Sequence, residues 1–300
     1  MEKIVVIFGP TAVGKTKFAV KLANYFDGEI ISADSRQVYR NLDIGTGKDL
    51  ADYQIGEKAI PYHLIDVANL EEEYDLFRFI SDFNIAVKNI QNKGKIPFLV
   101  GGTSMFLHSI FKNYQLVKTD FLQTKILELQ KTSDEELRNR LLEKRTNLHN
   151  QTDLLNRERI IKAILIAESD SGQIVEPIEL KKISICLLPE REVIHSRIKS
   201  RLKFRLENGM IKEVEDLLKS GISHEKLNFL GLEYRFISKY LKGEISYNDM
   251  FQKLDKAIRE FAKKQITWIR KFQKEGIDFT LLEEPNFEHA VEIIENGLKN

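Results

Sequence analysis

The stretch GPTAVGKT at residues 9 to 16 constrains the fold more tightly than any other part of this chain. It follows the apolar run IVVIF and leads into TKFAVKLANYF, where Phe18, Leu22 and Phe26 recur at helical spacing. A buried strand, a glycine loop and a helix are therefore expected in that order. Glycines at 9 and 14 let the backbone wrap so that successive N–H groups point inward, and the helix N-terminus adds its partial positive charge to the same concavity. The pattern G-x-x-x-x-G-K-[ST] makes Gly9, Pro10, Thr11, Ala12, Val13, Gly14, Lys15 and Thr16 the expected phosphate cradle. In it, Lys15 supplies a full charge at the terminal phosphate and Thr11 a further hydrogen-bonding hydroxyl. Thr16 offers a hydroxyl to Mg²⁺, a hard ion that prefers oxygen and bridges protein to pyrophosphate.

The rest of the chain repeats the alternation of strand and helix. EIISA runs into Asp34-Ser35, HLIDV reads as a further strand, a helix is expected from about 75 to 92, and IPFLV ends in Gly101-Gly102-Thr103. Such alternation predicts an α/β fold, a P-loop-type parallel sheet with helices on both faces. Between about 116 and 179 the strand signal vanishes and the pattern turns polar and helical, with Ser133-Asp134-Glu135-Glu136 fitting a capping box. That segment is expected to be an inserted helical module within a core made of 1–115 and 180–300. KKISICLLP resumes the sheet, and long helices follow over 190–207 and 247–272. In the second helix, Tyr247, Phe251, Leu254, Ile258, Phe261, Gln265 and Phe272 form one stripe, while Lys256, Arg259, Lys263 and Arg270 fall on another face. One side is expected to pack and the other to be cationic.

Many nucleotide hydrolases end a buried strand in a Mg²⁺-ordering aspartate, yet IPFLV ends in Gly-Gly-Thr. An acid does follow EIISA, as Asp34. It has two readings: a turn or capping residue before SRQVYR, or a carboxylate poised at the carboxyl end of a parallel strand, where sites in such sheets lie. Charge distribution bears on the partner. Net charge is only +1, but residues 191 to 274 hold 20 Lys and Arg against 11 Asp and Glu, which suits either a polyanion-binding face or a solvated lysine-rich surface. No run of about 18 uncharged apolar residues and no export signal is found, so neither membrane insertion nor secretion is expected and the cytoplasm is the expected location. The single cysteine, Cys186, makes no internal disulfide or multi-cysteine zinc site and reads as a core thiol. His63 reads as a structural hydrogen-bonding residue, Trp268 as a packing aromatic, and Glu71-Glu72-Glu73 as a solvated turn.

GPTAVGKT, SADSRQVYRNLDIGTGK at 32 to 48, PYHLID at 61 to 66, LVGGTSMFL at 99 to 107 and KKQITWIR at 263 to 270 resemble, in order, the successive motifs of the tRNA dimethylallyltransferases, also called tRNA isopentenyltransferases. The resemblance implies transfer of a dimethylallyl group from dimethylallyl diphosphate to the exocyclic amine of the adenosine 3′ to the anticodon. By the same resemblance, Thr11 through Thr16 grip the diphosphate, Asp34 accepts the amine's proton, and Asp34, Ser35, Arg36 and Gln37 contact tRNA. Thr103 would touch the target nucleotide and Arg201, in HSRIKSR, the diphosphate. Lys263, Gln265, Thr267 and Arg270, with Glu158, Arg159 and Lys162, would meet the anticodon stem-loop. Separately from the resemblance, a monomer is expected.

Two stretches depart from the family. NRERIIKAIL places Lys162 where a second arginine is usual, and Gly231-Leu232-Glu233-Tyr234-Arg235 replaces a shorter Gly-Tyr-[Arg/Lys]. Other readings compatible with the residues are a small-molecule kinase with a lid built on Arg138, Arg140 and Arg145, an isopentenyltransferase acting on free adenine nucleotides, and a non-catalytic RNA-binding module.

Overall fold

Ile4 through Phe8 are fully buried, a condition a strand meets only when helices cover both faces of its sheet. The computed structural model describes residues 2–119, 123–144, 156–168 and 173–299. Its first segment contains β1 (Lys3–Phe8), α1 (Lys15–Tyr25), β2 (Gly28–Ala33), the short strands β3 (Gln54–Ile55), β4 (Lys58–Ala59) and β5 (Tyr62–His63), α2 (Leu76–Asn92), β6 (Ile96–Gly101) and α3 (Ser104–Phe111). There follow β7 (Leu116–Val117), α4 (Gln123–Leu129), α5 (Asp134–Lys144), α6 (Arg157–Ala167) and β8 (Ile174–Val175). The last segment contains β9 (Lys181–Leu187), α7 (Arg191–Glu207), α8 (Met210–Lys219), α9 (His224–Leu230), α10 (Leu232–Leu241), α11 (Tyr247–Lys274), β10 (Thr280–Leu282) and α12 (Phe287–Lys299). Two compact units result: Met1–Asn113 with Ile178–Asn300, and Tyr114–Pro177.

The sheet of the larger unit runs β10-β9-β1-β6-β2-β5, every pair parallel. Its register sets the position of the functional residues. Phe8 pairs with Gly101 and Gly101 with Ala33, so β1, β6 and β2 end in one row. The residues that follow, Gly9, Gly102 and Asp34, therefore leave the carboxyl edge side by side. Close approach at that edge excludes larger residues: a Cβ on Gly101 would lie 2.3 Å from the Ala33 carbonyl oxygen, and one on Gly9 2.2 Å from that of Leu187.

Helix boundaries follow local chemistry. Asp75 caps α2 by accepting the Arg78 N–H at 2.8 Å, and Ser246 caps α11 by accepting that of Asp249 at 3.1 Å. HLIDV departs from expectation, since only Tyr62-His63 pairs with β2 before the chain leaves the sheet. Leu64 (φ 63°) and Asp66 (φ 56°) adopt left-handed backbone, which no strand continues. The turn brings the Asp66 carboxylate to the ammonium of Lys48, which is 1% exposed and also donates to Asp43 Oδ1 at 2.6 Å and to the Tyr39 carbonyl at 2.7 Å. Pairing this buried cation outweighs extending a short edge strand. The packed stripe on α11 is shifted from the expected one: Tyr247 and Phe261 are exposed, while Met250, Ala262 and Ile269 join the packed face.

The smaller unit packs Leu129, Leu137, Leu141, Ile160, Ile161, Ile164 and Leu165 into a core of its own. Ser133 and Glu136 form the reciprocal capping box: the Ser133 N–H donates to Glu136 Oε2 at 3.1 Å and the Glu136 N–H to Ser133 Oγ at 3.3 Å. Arg140 forks onto Glu168 at 2.7 and 2.8 Å, so it is engaged within the module and not held ready as a lid arginine. Arg145 lies outside the described residues.

Candidate active site

The glycine loop takes the shape its sequence requires. Ala12 (φ 65°) and Gly14 (φ 85°) are left-handed, which turns successive amides toward one concavity at the start of α1. Lys15 folds back so that Nζ donates to the Pro10 carbonyl at 2.7 Å. Thr11 is held from two directions. Its N–H donates to Gln265 Oε1 at 2.9 Å, and its Oγ1 accepts from Arg201 Nη2 at 2.6 Å. Gln265 Nε2 in turn donates to the Gly102 carbonyl at 2.8 Å, so α7 and α11 are both fastened to the loop that follows β1, and α11 also to the turn that follows β6.

Asp34 satisfies both of its sequence readings, with different oxygens. Oδ1 accepts the Arg36 N–H at 2.9 Å and the Gln37 N–H at 3.4 Å, the capping role, while Oδ2 has no partner among the described residues. Thr103 holds the same turn, its Oγ1 accepting the Ser35 N–H at 3.0 Å. Gln37 accepts from Ser32 Oγ at 3.2 Å and donates to the Gly47 carbonyl at 3.0 Å, which ties the turn to the DIGTGK loop.

That loop is itself built around an anion. The carboxylate of Glu213, from α8, accepts the N–H groups of Asp43 at 3.0 Å, Ile44 at 2.6 Å and Gly45 at 3.1 Å, together with the Tyr234 hydroxyl at 2.8 Å. Gly47 (φ 69°) is required twice, for its backbone and because a Cβ would meet Arg205 Nη2 at 2.0 Å. These elements enclose a cavity of about 820 Å³, lined by Thr11, Lys15, Thr16, Asp34, Gln37 and Arg201, with Asp49, Asp52, Tyr53, Phe204 and Phe261 also on its wall.

Burial, and then Arg201, lower the Lys15 ammonium from 10.5 to about 8. Burial, and then Arg205, lower Arg201 to about 10. Among the described residues neither cation forms an ion pair; Asp34 partly offsets the shift at Lys15, and Glu233, Asp49 and Asp34 that at Arg201. Glu233, in the stretch where the sequence departs from its family, is raised by burial, which Arg201 and Arg205 only partly offset.

Of the expected residues in the larger unit, Arg36, Lys263, Thr267 and Arg270 do not line this cavity. Lys263, Thr267 and Arg270 are exposed on one face of α11, whereas Gln265 faces the opposite way, 6% exposed, with both amide atoms bonded inside the protein. Its expected role as a tRNA contact is thereby recast as a brace for the loop. Arg36 is exposed beside the Asp34 turn. Glu158, Arg159 and Lys162 are exposed on α6 of the smaller unit, whose N-cap Asn156 accepts the Arg159 N–H at 3.2 Å. His63 bonds the buried Glu29 at 2.8 Å, and Trp268 packs against His108 and Phe272. Cys186 is buried, and desolvation pushes its thiol to about 12, which suits an unreactive core residue.

Sequence reasoning missed Arg197 and Arg205, which line the cavity on either side of Arg201. Their spacing of four in HSRIKSRLKFR puts all three guanidinium groups on one helical face, and that periodicity was available to find them. Arg205 donates to Asp49 Oδ2 at 3.0 Å. Glu213 carried no local signal, being 168 to 170 residues from the amides it binds.

Among the described residues no helix is long and apolar enough to cross a membrane. Residues 37–272 match the family described as IPP transferase, and residues 2–59 the one described as isopentenyl transferase. A tRNA dimethylallyltransferase 1 of Geotalea uraniireducens is 49% identical over 91% of this chain and 90% of its own length. One from Syntrophus aciditrophicus is 40% identical over the whole of both chains. Among solved structures, a tRNA isopentenylpyrophosphate transferase from Bacillus halodurans superposes with a TM-score of 0.69 at 29% identity, covering 100% of this chain and 95% of that one. A eukaryotic dimethylallyltransferase acting on tRNA shares the fold with a TM-score of 0.78 at 22% identity, over 100% of this chain and 80% of its own. With a family match that takes in most of its residues and relatives alike from end to end, this chain belongs to the IPP transferase family, that of the tRNA dimethylallyltransferases.

Proposed function

We propose that this enzyme, a prenyl transferase by family, moves a dimethylallyl group from dimethylallyl diphosphate to the exocyclic N6 amine of the adenosine 3′-adjacent to the anticodon of tRNA, in the cytoplasm, releasing diphosphate. The observation that carries the reading is the meeting on one cavity wall of Lys15 and Arg201, two cations that form no ion pair among the described residues, with an Asp34 oxygen that accepts no hydrogen bond from them. A diphosphate would bring negative charge to the two cations, and an amine a proton for the carboxylate.

An adenine amine is a weak nucleophile because its lone pair is delocalised into the ring. Two conditions therefore govern the rate: removal of the N6 proton as the carbon–nitrogen bond forms, and stabilisation of charge on the departing diphosphate as the allylic carbon–oxygen bond breaks. Asp34 Oδ2 meets the first as general base. Its Oδ1 stays on the Arg36 and Gln37 amides, so the reacting oxygen is held in place by the turn it caps. Lys15, Arg201 and the loop amides meet the second, and one such preorganised donor commonly contributes about 10² or more in rate. Thr11, already oriented by Arg201, addresses the bridging oxygen.

Mg²⁺ fits the donor set. The Thr16 hydroxyl has no partner among the described residues, lines the same cavity as Asp34 and Asp49, and is an oxygen donor of the kind this ion takes. Among the described residues no cluster of three or more His, Cys, Asp or Glu forms a metal cage, which suits an ion that keeps waters and substrate oxygens as its main ligands. When bound, it would neutralise charge on the diphosphate.

An acceptor in an RNA loop presents unstacked bases, which an enzyme flips into a pocket at modest cost. The exposed cations of α11, Lys263 and Arg270 among them, would hold the phosphates of the anticodon stem-loop, with Arg159 and Lys162 of the module as further contacts. The test is incubation with labelled dimethylallyl diphosphate and Mg²⁺, together with tRNA, AMP or no acceptor, and a parallel reaction with ATP. Label in tRNA alone is expected. Label in AMP or hydrolysis of ATP would overturn the proposal in favour of a nucleotide prenyltransferase or a kinase.

A further inference from the structure

Two phenylalanines on the cavity wall take no part in the chemistry just described. Phe204 is 63% exposed and Phe261 45%, and both line the same cavity as Lys15 and Asp34. Large apolar side chains lose free energy by standing in water, so a pair of them at one opening requires an explanation.

Their placement is set by the residues that hold the glycine loop. Phe204 lies three positions after Arg201 on α7, and Phe261 four positions before Gln265 on α11. Residues three and four apart share a helical face one turn, about 5.4 Å, from each other. Arg201 and Gln265 both bond Thr11, one at Oγ1 and the other at N. Each helix therefore grips the loop with one residue and sets a phenyl ring one turn along on the cavity wall. Exposure rises on passing from Gln265, 6% exposed, to Phe261, and from partly buried Arg201 to Phe204, so both rings stand toward solvent at the mouth.

The surroundings decide what the rings meet. Arg197 lies seven positions before Phe204, on its face of α7 and on the same cavity wall, and exposed Lys264 follows Phe261 by three on α11, so aromatic faces alternate with cations. Interleaving of that kind suits a single-stranded nucleic acid, whose phosphates take the cations while its bases stack on the rings. An isoprenoid tail would need an apolar enclosure, and this mouth is charged and open.

We propose that Phe204 and Phe261 form an aromatic clamp that stacks on unpaired purine bases of the RNA loop, the flipped adenine or its neighbour, and so steers the acceptor amine toward Asp34. This rests on the prenyl-transfer reading above. The clamp is a substrate-positioning device and contributes nothing to the grip on diphosphate.

The test compares Phe204→Ala, Phe261→Ala, the double variant, and Phe204→Trp with Phe261→Tyr. The substrate is an anticodon stem-loop carrying 2-aminopurine at the acceptor position for fluorescence, and an unlabelled stem-loop for turnover. Each alanine variant is expected to weaken RNA binding about tenfold to a hundredfold, the range for loss of one base–aromatic stack. It should also relieve 2-aminopurine quenching and leave the affinity for dimethylallyl diphosphate unchanged. The aromatic replacements should restore binding and quenching. Unchanged RNA affinity and quenching in the double variant would overturn the clamp. So would weakened diphosphate binding, which would assign the rings to the isoprenoid. Wild-type enzyme run alongside keeps the two proposals apart: no transfer by the wild type refutes the reaction, whereas normal transfer by the double variant refutes only the clamp.

Discussion

Raising the pH from about 7 to about 9 should weaken binding of the prenyl diphosphate roughly tenfold, because Lys15 titrates in that interval. Burial, and then Arg201, hold its ammonium at about 8 in the ligand-free site. An arriving diphosphate adds negative charge beside the ammonium and moves that value back up, so the ligand selects the protonated form and binding takes up a proton. With only the ammonium form competent, the apparent Kd scales with one plus ten to the power of pH minus 8. That factor is about 1.1 at pH 7, about 2 at pH 8 and about 11 at pH 9. Second ionisations of phosphate esters lie near pH 6, so the ligand's own charge is constant across most of the range. Calorimetric titration in two buffers of different ionisation enthalpy reads both quantities, with about half a proton taken up at pH 8. Lys15→Arg keeps the charge without titrating and should bind with a flat profile. A wild-type Kd constant within twofold from pH 7 to 9, with no proton uptake, would refute the argument. The ligand-free protein should respond with the opposite sign: its folded-state value lies below the unfolded 10.5, so stability rises as pH increases from about 8 toward 10.5.

Asp34→Ala should lower the rate of transfer by about 10² to 10⁴ while tRNA binding survives, and single-turnover kinetics beside a binding titration separate the two. Binding of tRNA should weaken with salt at a log–log slope of about −0.7 to −0.9 per neutralised phosphate, and Lys263→Ala or Arg270→Ala should each reduce that slope by about one; an unchanged slope removes the residue from the interface. Lys48→Met should cost about 2 to 3 kcal/mol, read as a lower urea midpoint at constant m-value. It takes the shared donor from Asp43, Asp66 and the Tyr39 carbonyl, and the cost falls short of a fully buried pair because both carboxylates reach solvent.

What could be read from the sequence was what local chemistry dictates. The glycine loop, the buried runs and the capping box each declare themselves within about ten residues, because backbone freedom, side-chain period and capping hydrogen bonds act over that distance. HLIDV misled for the same reason. Its apolar alternation is the local mark of a strand, and the deciding partner was Lys48, which holds Asp66 in a left-handed turn from eighteen residues away. Gln265 shows how a contiguous motif conceals a helix: Lys263, Thr267 and Arg270 share an exposed face, and the residue between them turns inward to brace Thr11. On α7 the arginines at 197, 201 and 205 were legible as a face, yet a reading tied to one motif position singled out only the middle one. Glu213 was beyond reach from sequence, since nothing in MIKEVEDLLK distinguishes the glutamate that enters a backbone nest from its solvated neighbours. Asp34 and the glycine loop thus carry strong local signatures, while the residues that hold them in place, Gln265 and Glu213, come from distant helices and become visible only when the chain is folded.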